Sequence, residues 1–241
     1  MFNKKINVNC YCRNQQVTKL FPIIKASRVL PKWLKELKSE KEKCSKTNIK
    51  SSSVNKKTIR SCSGVRELFN NSYMQRLWSD LEIYIDVNQK YMSWYFADGE
   101  TEIVIHETSQ RGDFLSAENY TVLKVISPWF IETKKSINWS IVPPVYHDQK
   151  QIDSVHTLPG LLNFKYQHSP HIFIAVKNMT GSYFIKAGTP LAYMIPQTEK
   201  SIKLNNIYDE NKCKQLDDMQ RPFAFEKSYF KKRLQLNKDG V

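Results

Sequence analysis

The sequence predicts a mainly β protein of the α+β type: an antiparallel β-sandwich core with short N-terminal helices and a C-terminal helix. Three observations predict it. Short runs in which apolar and polar residues alternate recur from Leu81 to Leu204, the period of a half-buried strand. Turn signals separate these runs, among them Asn88-Gln89, Asp98-Gly99 and Pro143-Pro144. Helical periodicity is confined to segments before residue 70 and after residue 220.

Taken in order, residues 6–30 read as extended, with Phe21-Pro22-Ile23-Ile24 interrupted by proline. Pro31 suits the first position of a helix, where its missing N–H costs nothing, and Trp33, Leu34 and Leu37 follow at helical spacing. Beyond Leu37 the apolar face ends. Residues 38–58 (KSEKEKCSKTNIKSSSVNKKT) have little to bury and are expected to form a mobile insertion or linker. Order resumes at Cys62-Ser63-Gly64, where Ser63 can cap a helix carrying Val65, Leu68 and Phe69 in one stripe. In LEIYIDV, residues 81–87, Leu81, Ile83, Ile85 and Val87 share a face, and the Asn88-Gln89 turn leads into KYMSWYF. Further strands are expected at 103–105, 120–126, 137–142, 171–177, 183–186, 191–195 and 201–204. Residues 206–219 read as loop or weak helix and 222–236 as a helix. Three regions result: a basic N-terminal segment at 1–61, a β-rich core at 62–205 and a polar, partly helical tail at 206–241.

Charge is unevenly placed. Residues 1–60 hold 16 Lys and Arg against 3 Asp and Glu, whereas residues 61–241 hold 21 against 20. A basic arm on a near-neutral body points to an acidic macromolecular partner, either a nucleic acid or an acidic protein surface. Lys38, Lys41, Lys43, Lys46, Lys50, Lys56, Lys57 and Arg60 are the candidate contacts. No apolar run approaches the roughly 18 residues that span a bilayer, and the first residues lack a secretory pattern. The expectation is therefore a protein neither membrane-bound nor secreted.

Cys10, Cys12, Cys44, Cys62 and Cys213 are an odd, scattered set that suits a reducing compartment. Gaps of 31 and 17 residues separate Cys12 from Cys44 and Cys44 from Cys62, unlike the close ligand pairs of zinc sites. His168 and His171 flank a turn, but no nearby carboxylate completes a metal set. No metal or cofactor is expected. The chain has no G-x-S-x-G, P-loop or dinucleotide fingerprint, and only 7 glycines. Tyr91, Trp94, Tyr95, Phe96, Trp129, Phe130 and Trp139 could stack on bases, but alternation sends Trp94 and Tyr95 to opposite faces of a strand. Core packing is the expected use of most of them.

One stretch carries a family likeness. Gly160-Leu161-Leu162-Asn163-Phe164-Lys165-Tyr166 is followed by an apolar strand and then by Phe184 to Ala192, with the Gly188-Thr189-Pro190 turn inside. This order, over roughly 55 residues, resembles the second half of the trimeric dUTP pyrophosphatase and dCTP deaminase superfamily. The resemblance implies a β-clip-like core, a homo-oligomer with a trimer favoured, and Asn163, Tyr166, Gly188 and Thr189 as ligand-facing residues. It also exposes departures. Asn163 stands where the family has its water-activating aspartate, and an amide cannot act as a general base. Pro143-Pro144-Val145 stands where the family's Pro-Arg-Ser phosphate contact is expected, and Gly240 is the only glycine after Lys200, so the glycine-rich closing arm has no counterpart.

Across most of its length the chain also resembles an uncharacterised protein family of marine tailed phages. Leu30-Pro31-x-Trp33, Cys62-x-Gly64, Leu77-Trp78-x-Asp80, Trp94-x-Phe96, Pro128-Trp129-x-Ile131, Pro143-Pro144 and the Gly188 turn carry that likeness. The resemblance implies a phage setting, in a host cytoplasm or on a virion. Three functions follow as expectations. The first is a non-catalytic phage accessory or structural module that binds a macromolecule through its β-rich core and basic N-terminal segment. The second is a nucleotide-processing enzyme of the dUTPase-like class with a rearranged site. The third is a low-specificity nucleic-acid binder.

Overall fold

The computed structural model describes residues 5–40, 57–112, 115–116, 118–147 and 154–220. In chain order the elements begin with β1 (Ile6–Cys12), α1 (Gln15–Leu20), β2 (Ile24–Lys25), a 3₁₀ turn at Ala26–Val29, α2 (Lys32–Glu36), a second 3₁₀ turn at Ile59–Ser61 and α3 (Ser63–Asn71). Then come β3 (Tyr73–Arg76), β4 (Leu81–Asp86), β5 (Tyr91–Phe96), β6 (Ile103–His106), α4 (Thr108–Arg111), β7 (Tyr120–Val125), β8 (Trp129–Glu132) and β9 (Asn138–Val142). β10 (Val155–Thr157), β11 (Gly160–Asn163), β12 (Ile172–Lys177), β13 (Gly181–Ile185), β14 (Pro190–Pro196), β15 (Ile202–Tyr208) and α5 (Glu210–Gln220) are the last elements among the described residues. The protein is mainly β, as the alternation predicts. Its strands form sheets in the orders β15-β1-β8, β10-β12-β7-β6, β11-β9-β14-β3-β2 and β13-β4-β5. Every pairing is antiparallel except β1 with β15.

The inward residues of these sheets share one core. Val8, Cys10 and Cys12 of β1 and Leu81, Ile83 and Ile85 of β4 all belong to it, with Trp129, Trp139 and Phe164 fully enclosed. β1 lies in what reads as the basic N-terminal segment, yet it is built into this core between β8 and β15. A second cluster lies on the other side of β3 and β14. There Met74 and Tyr193 receive Ala26, Leu34, Val65 and Phe69. β3 and β14 are therefore covered on both faces.

Residues 6–30 are not uniformly extended, because Asn14 starts a helix. Its Oδ1 accepts hydrogen bonds from the N–H groups of Gln16 and Val17 at 2.8 and 3.1 Å, satisfying two of the donors that a helix start leaves unpaired. At α3 the cap position falls to Cys62, and Ser63 is the first helical residue. α5 occupies 210–220, where the sequence reads as loop or weak helix, and buries Cys213 and Leu216 against Phe130. The helix expected at 222–236 lies outside the described residues. No described helix is long and apolar enough to cross a membrane.

The Gly188 turn is fastened on both sides. Gly188 N–H donates to the Leu77 carbonyl at 2.7 Å, Leu77 N–H donates to the Thr189 carbonyl at 2.8 Å, and Ala187 N–H donates to Asp80 Oδ1 at 2.6 Å. Gly188 has φ of 88°, the left-handed region that favours glycine. A Cβ there would meet only Phe21 at 3.6 Å, so a substitution costs through the backbone, not through a clash. Gly188→Ala is expected to lower unfolding free energy by about 1 kcal/mol, read as a fall in denaturation midpoint without loss of cooperativity. An unchanged midpoint would refute that backbone argument.

Candidate functional site

The turn residues and the paired prolines do come together. Thr189 and Pro190 line a cleft of about 360 Å³ with Pro143, Pro144 and Val145. Among the described residues its walls carry no Lys, Arg, Asp or Glu. Such a lining offers an apolar ligand contact area and one imidazole, that of His156, but no phosphate clamp and no carboxylate to orient the ring.

Asn163 and Tyr166 do not face that cleft. Asn163 pairs with Asn138 at the start of β9, whereas Pro143-Pro144 follows that strand's other end. Its side chain is buried and structural. Nδ2 donates to Ser136 Oγ at 3.0 Å and to Asn138 Oδ1 at 3.1 Å, while Oδ1 accepts from Lys165 N–H at 3.2 Å. Tyr166 is also buried, and its hydroxyl has no hydrogen-bond partner among the described residues. The side chains of this pair are thus enclosed, Asn163 at the end of β11 against β9.

Of the N-terminal basic candidates, Lys41, Lys43, Lys46, Lys50 and Lys56 lie outside the described residues. Arg60 has a structural task. Its Nη1 donates to the carbonyls of Lys35 and Leu37, both at 2.8 Å, covering carbonyls that the end of α2 leaves unpaired. Lys38 and Lys57 stand where the chain leaves and rejoins the described fold. Glu40 and Lys57 form an antiparallel bridge, and Thr58 Oγ1 donates to the Lys38 carbonyl at 2.6 Å. The ends of the Lys- and Ser-rich stretch are thus clasped together.

A basic site also appears on the folded body, where the sequence count is near neutral. A cleft of about 910 Å³ opens beside the beginning of β1 and the β8–β9 connection. Lys5, Lys134, Lys135 and Lys200 stand on its rim, and all four are exposed. None has an ion-pair partner among the described residues. Two of them sit in turns tied by threonine: Lys135 N–H donates to Thr133 Oγ1 and Lys200 N–H to Thr198 Oγ1, each at 3.2 Å. Glu132 is the one carboxylate among the described lining residues, and Lys212 neutralises it at 3.0 Å. Asn7, Asn9 and Ser136 add amide and hydroxyl groups. The arrangement can hold an extended anion by charge, with polar groups to receive its oxygens.

Three of the histidines serve the fold, whereas His156 lines the cleft beside Thr189. His147 Nδ1 meets the Tyr193 hydroxyl at 2.8 Å and Nε2 meets the Val29 carbonyl at 2.5 Å, joining the N-terminal helical layer to β14. His168 Nδ1 meets the Ile131 carbonyl at 3.0 Å, and His171 Nδ1 meets Ser169 Oγ at 3.2 Å. Burial holds His147 and His168 below the ordinary imidazole value. It pushes His171 down to about 4, helped by Lys124 and opposed by Asp217. The described residues contain no group of three His, Cys, Asp or Glu side chains placed to hold a metal. Cys10, Cys12 and Cys213 are buried free thiols, and burial raises all three.

No protein-family model matches the chain, and no curated protein matches it.

Proposed function

We propose that this protein is a non-catalytic binding module that holds a polyanionic macromolecule, through the lysine-rimmed cleft of its β-rich core together with the basic N-terminal segment. The single observation that carries this reading is the placing of Lys5, Lys134, Lys135 and Lys200 around one broad cleft whose lining carboxylate is already neutralised. Recognition is by charge and not by sequence, since the rim offers flexible ammonium groups and no aromatic platform. The non-catalytic part is supported by the burial of Asn163 and by the lack of Lys, Arg, Asp and Glu in the described lining around Thr189. On the phage resemblance, the setting is that of an accessory or structural protein of a tailed phage, in trimeric form if the β-clip likeness extends to assembly.

Fluorescence anisotropy with a labelled 20-nucleotide single strand and with labelled polyglutamate tests the reading. Binding of at least one polyanion at low salt, weakening steeply as salt rises, is expected. A folded protein that binds neither would overturn it.

A further inference from the structure

The sheet β13-β4-β5 has one face in the core and one in water. Its inner face carries Leu81, Ile83, Ile85, Trp94, Phe96 and Ile185. The strand register then fixes the outer face. Phe184 pairs with Glu82 and Glu82 with Tyr95; Ser182 pairs with Tyr84 and Tyr84 with Ser93; Asp86 pairs with Tyr91. Antiparallel partners point to the same side, so four rings, two carboxylates and two serines share this surface. The rings are strongly exposed: Tyr84 39%, Tyr91 53%, Tyr95 64% and Phe184 55%. Scattered single apolar residues on a surface are ordinary, but a contiguous set of rings marks an interaction site.

Charge identifies the occupant. None of the three strands contains Lys or Arg, although the chain as a whole has a net charge of +14. Glu82 lies between two rings in its row, with Phe184 on one side and Tyr95 on the other. Asp86 spends Oδ1 on the N–H groups of Asn88 and Gln89 at 3.0 and 3.1 Å, and its Oδ2 has no partner among the described residues. A carboxylate flanked by aromatic faces is complementary to an ammonium or guanidinium, which gains an ion pair and cation–π contacts together. A phosphate backbone would be repelled from the same face. Glu82 and Asp86 are four residues apart on one strand, about 13 Å, and Tyr84 stands between them. Its ring centroid is 6.4 Å from that of Tyr91.

We propose that this face docks an extended basic peptide segment of a protein partner. The segment lays cationic residues four positions apart over Glu82 and Asp86 and an apolar or aromatic residue midway against Tyr84. An extended chain repeats its side chains on one side every two residues, which matches this spacing without distortion. The site is chemically opposite to the lysine cleft, so the module can join an acidic partner to a basic one.

The test uses the full chain and two synthetic peptides, one containing Lys-Ser-Phe-Ser-Lys and one containing Glu-Ser-Phe-Ser-Glu, followed by NMR titration. The lysine peptide is expected to bind and to shift the signals of Tyr84, Tyr91 and Tyr95, and the glutamate peptide is expected not to bind. Glu82→Gln with Asp86→Asn should weaken binding about tenfold, and both variants keep the turn and side-chain shape. Tyr84→Ala should weaken it about fivefold, and Glu199→Gln, away from the face, should leave it unchanged. Equal binding of both peptides, or unchanged affinity in the double carboxylate variant, overturns the proposal. So does a neutral hexasaccharide perturbing the same tyrosines while the lysine peptide does not. Polyanion binding is measured separately on the same variants and should not move, so failure here is distinguishable from failure of the cleft.

Discussion

Lys134→Glu, Lys135→Glu and Lys200→Glu combined should weaken binding of a single-stranded 20-mer on the order of 100-fold at about 50 mM salt. The three positions are exposed and have no ion-pair partner among the described residues, so their reversal costs the fold little. Net charge alone could produce part of the loss, because the chain starts at +14. A charge-matched control separates the two causes. Lys19→Glu, Lys32→Glu and Lys186→Glu remove the same charge from exposed positions outside the cleft. That control should lose only a fewfold in affinity, since at this salt interactions beyond about 14 Å are screened. Equal losses in both triples would mean that affinity follows overall charge and that the cleft is not the site.

The second large effect is acid lability. The half-buried His171 ring is pushed down to about 4 from the ordinary imidazole value of 6.5, so the native state binds fewer protons than the unfolded chain between those pH values. Stability then rises with pH across this window. Its contribution is complete above about 6.5 and is lost as pH falls toward about 4, below which nothing more is lost from this group. The loss is about 3 kcal/mol for His171, and His147 and His168 act in the same direction. Urea midpoints at several pH values from 4 to 7 should fall steadily on acidification. His171→Asn keeps a group for Ser169 Oγ and removes the titration, so its curve should be flatter. A wild-type midpoint that holds level from pH 7 to 4 would refute this.

Much of the β framework was legible because its strands are covered on one face only. LEIYID alternates cleanly, and the structure places Leu81, Ile83 and Ile85 inward with Tyr84 outward. The same logic separated Trp94, packed on the core, from Tyr95, in solvent. Strands covered on both faces left no such trace. Tyr73, Met74 and Gln75 of β3 are consecutive and all buried, because one side meets the main core and the other meets Phe69 and Leu34. β8 is similar, with Trp129, Phe130 and Ile131 buried in succession.

The site was less legible, for a different reason. Lys5, the Lys134-Lys135 pair and Lys200 are far apart in sequence, and the near balance of charge in residues 61–241 conceals the last three. Only the pairing of β1 with β8 and β15 brings those segments together. Asn163 shows the converse. A local motif marked it, but its partners Ser136 and Asn138 come from a register that no local pattern reveals. The aromatic face lay in between. Alternation told which rings of β5 point outward, while Phe184 joined them only through β13 pairing.

The most direct measurement is the salt dependence of polyanion affinity, as the slope of log K against log salt concentration, for the wild type and the Lys134, Lys135 and Lys200 triple. If these lysines contact anionic groups, the slope should become shallower by about 2 in the triple. A slope identical to that of the wild type would contradict the assignment of this cleft as the binding site.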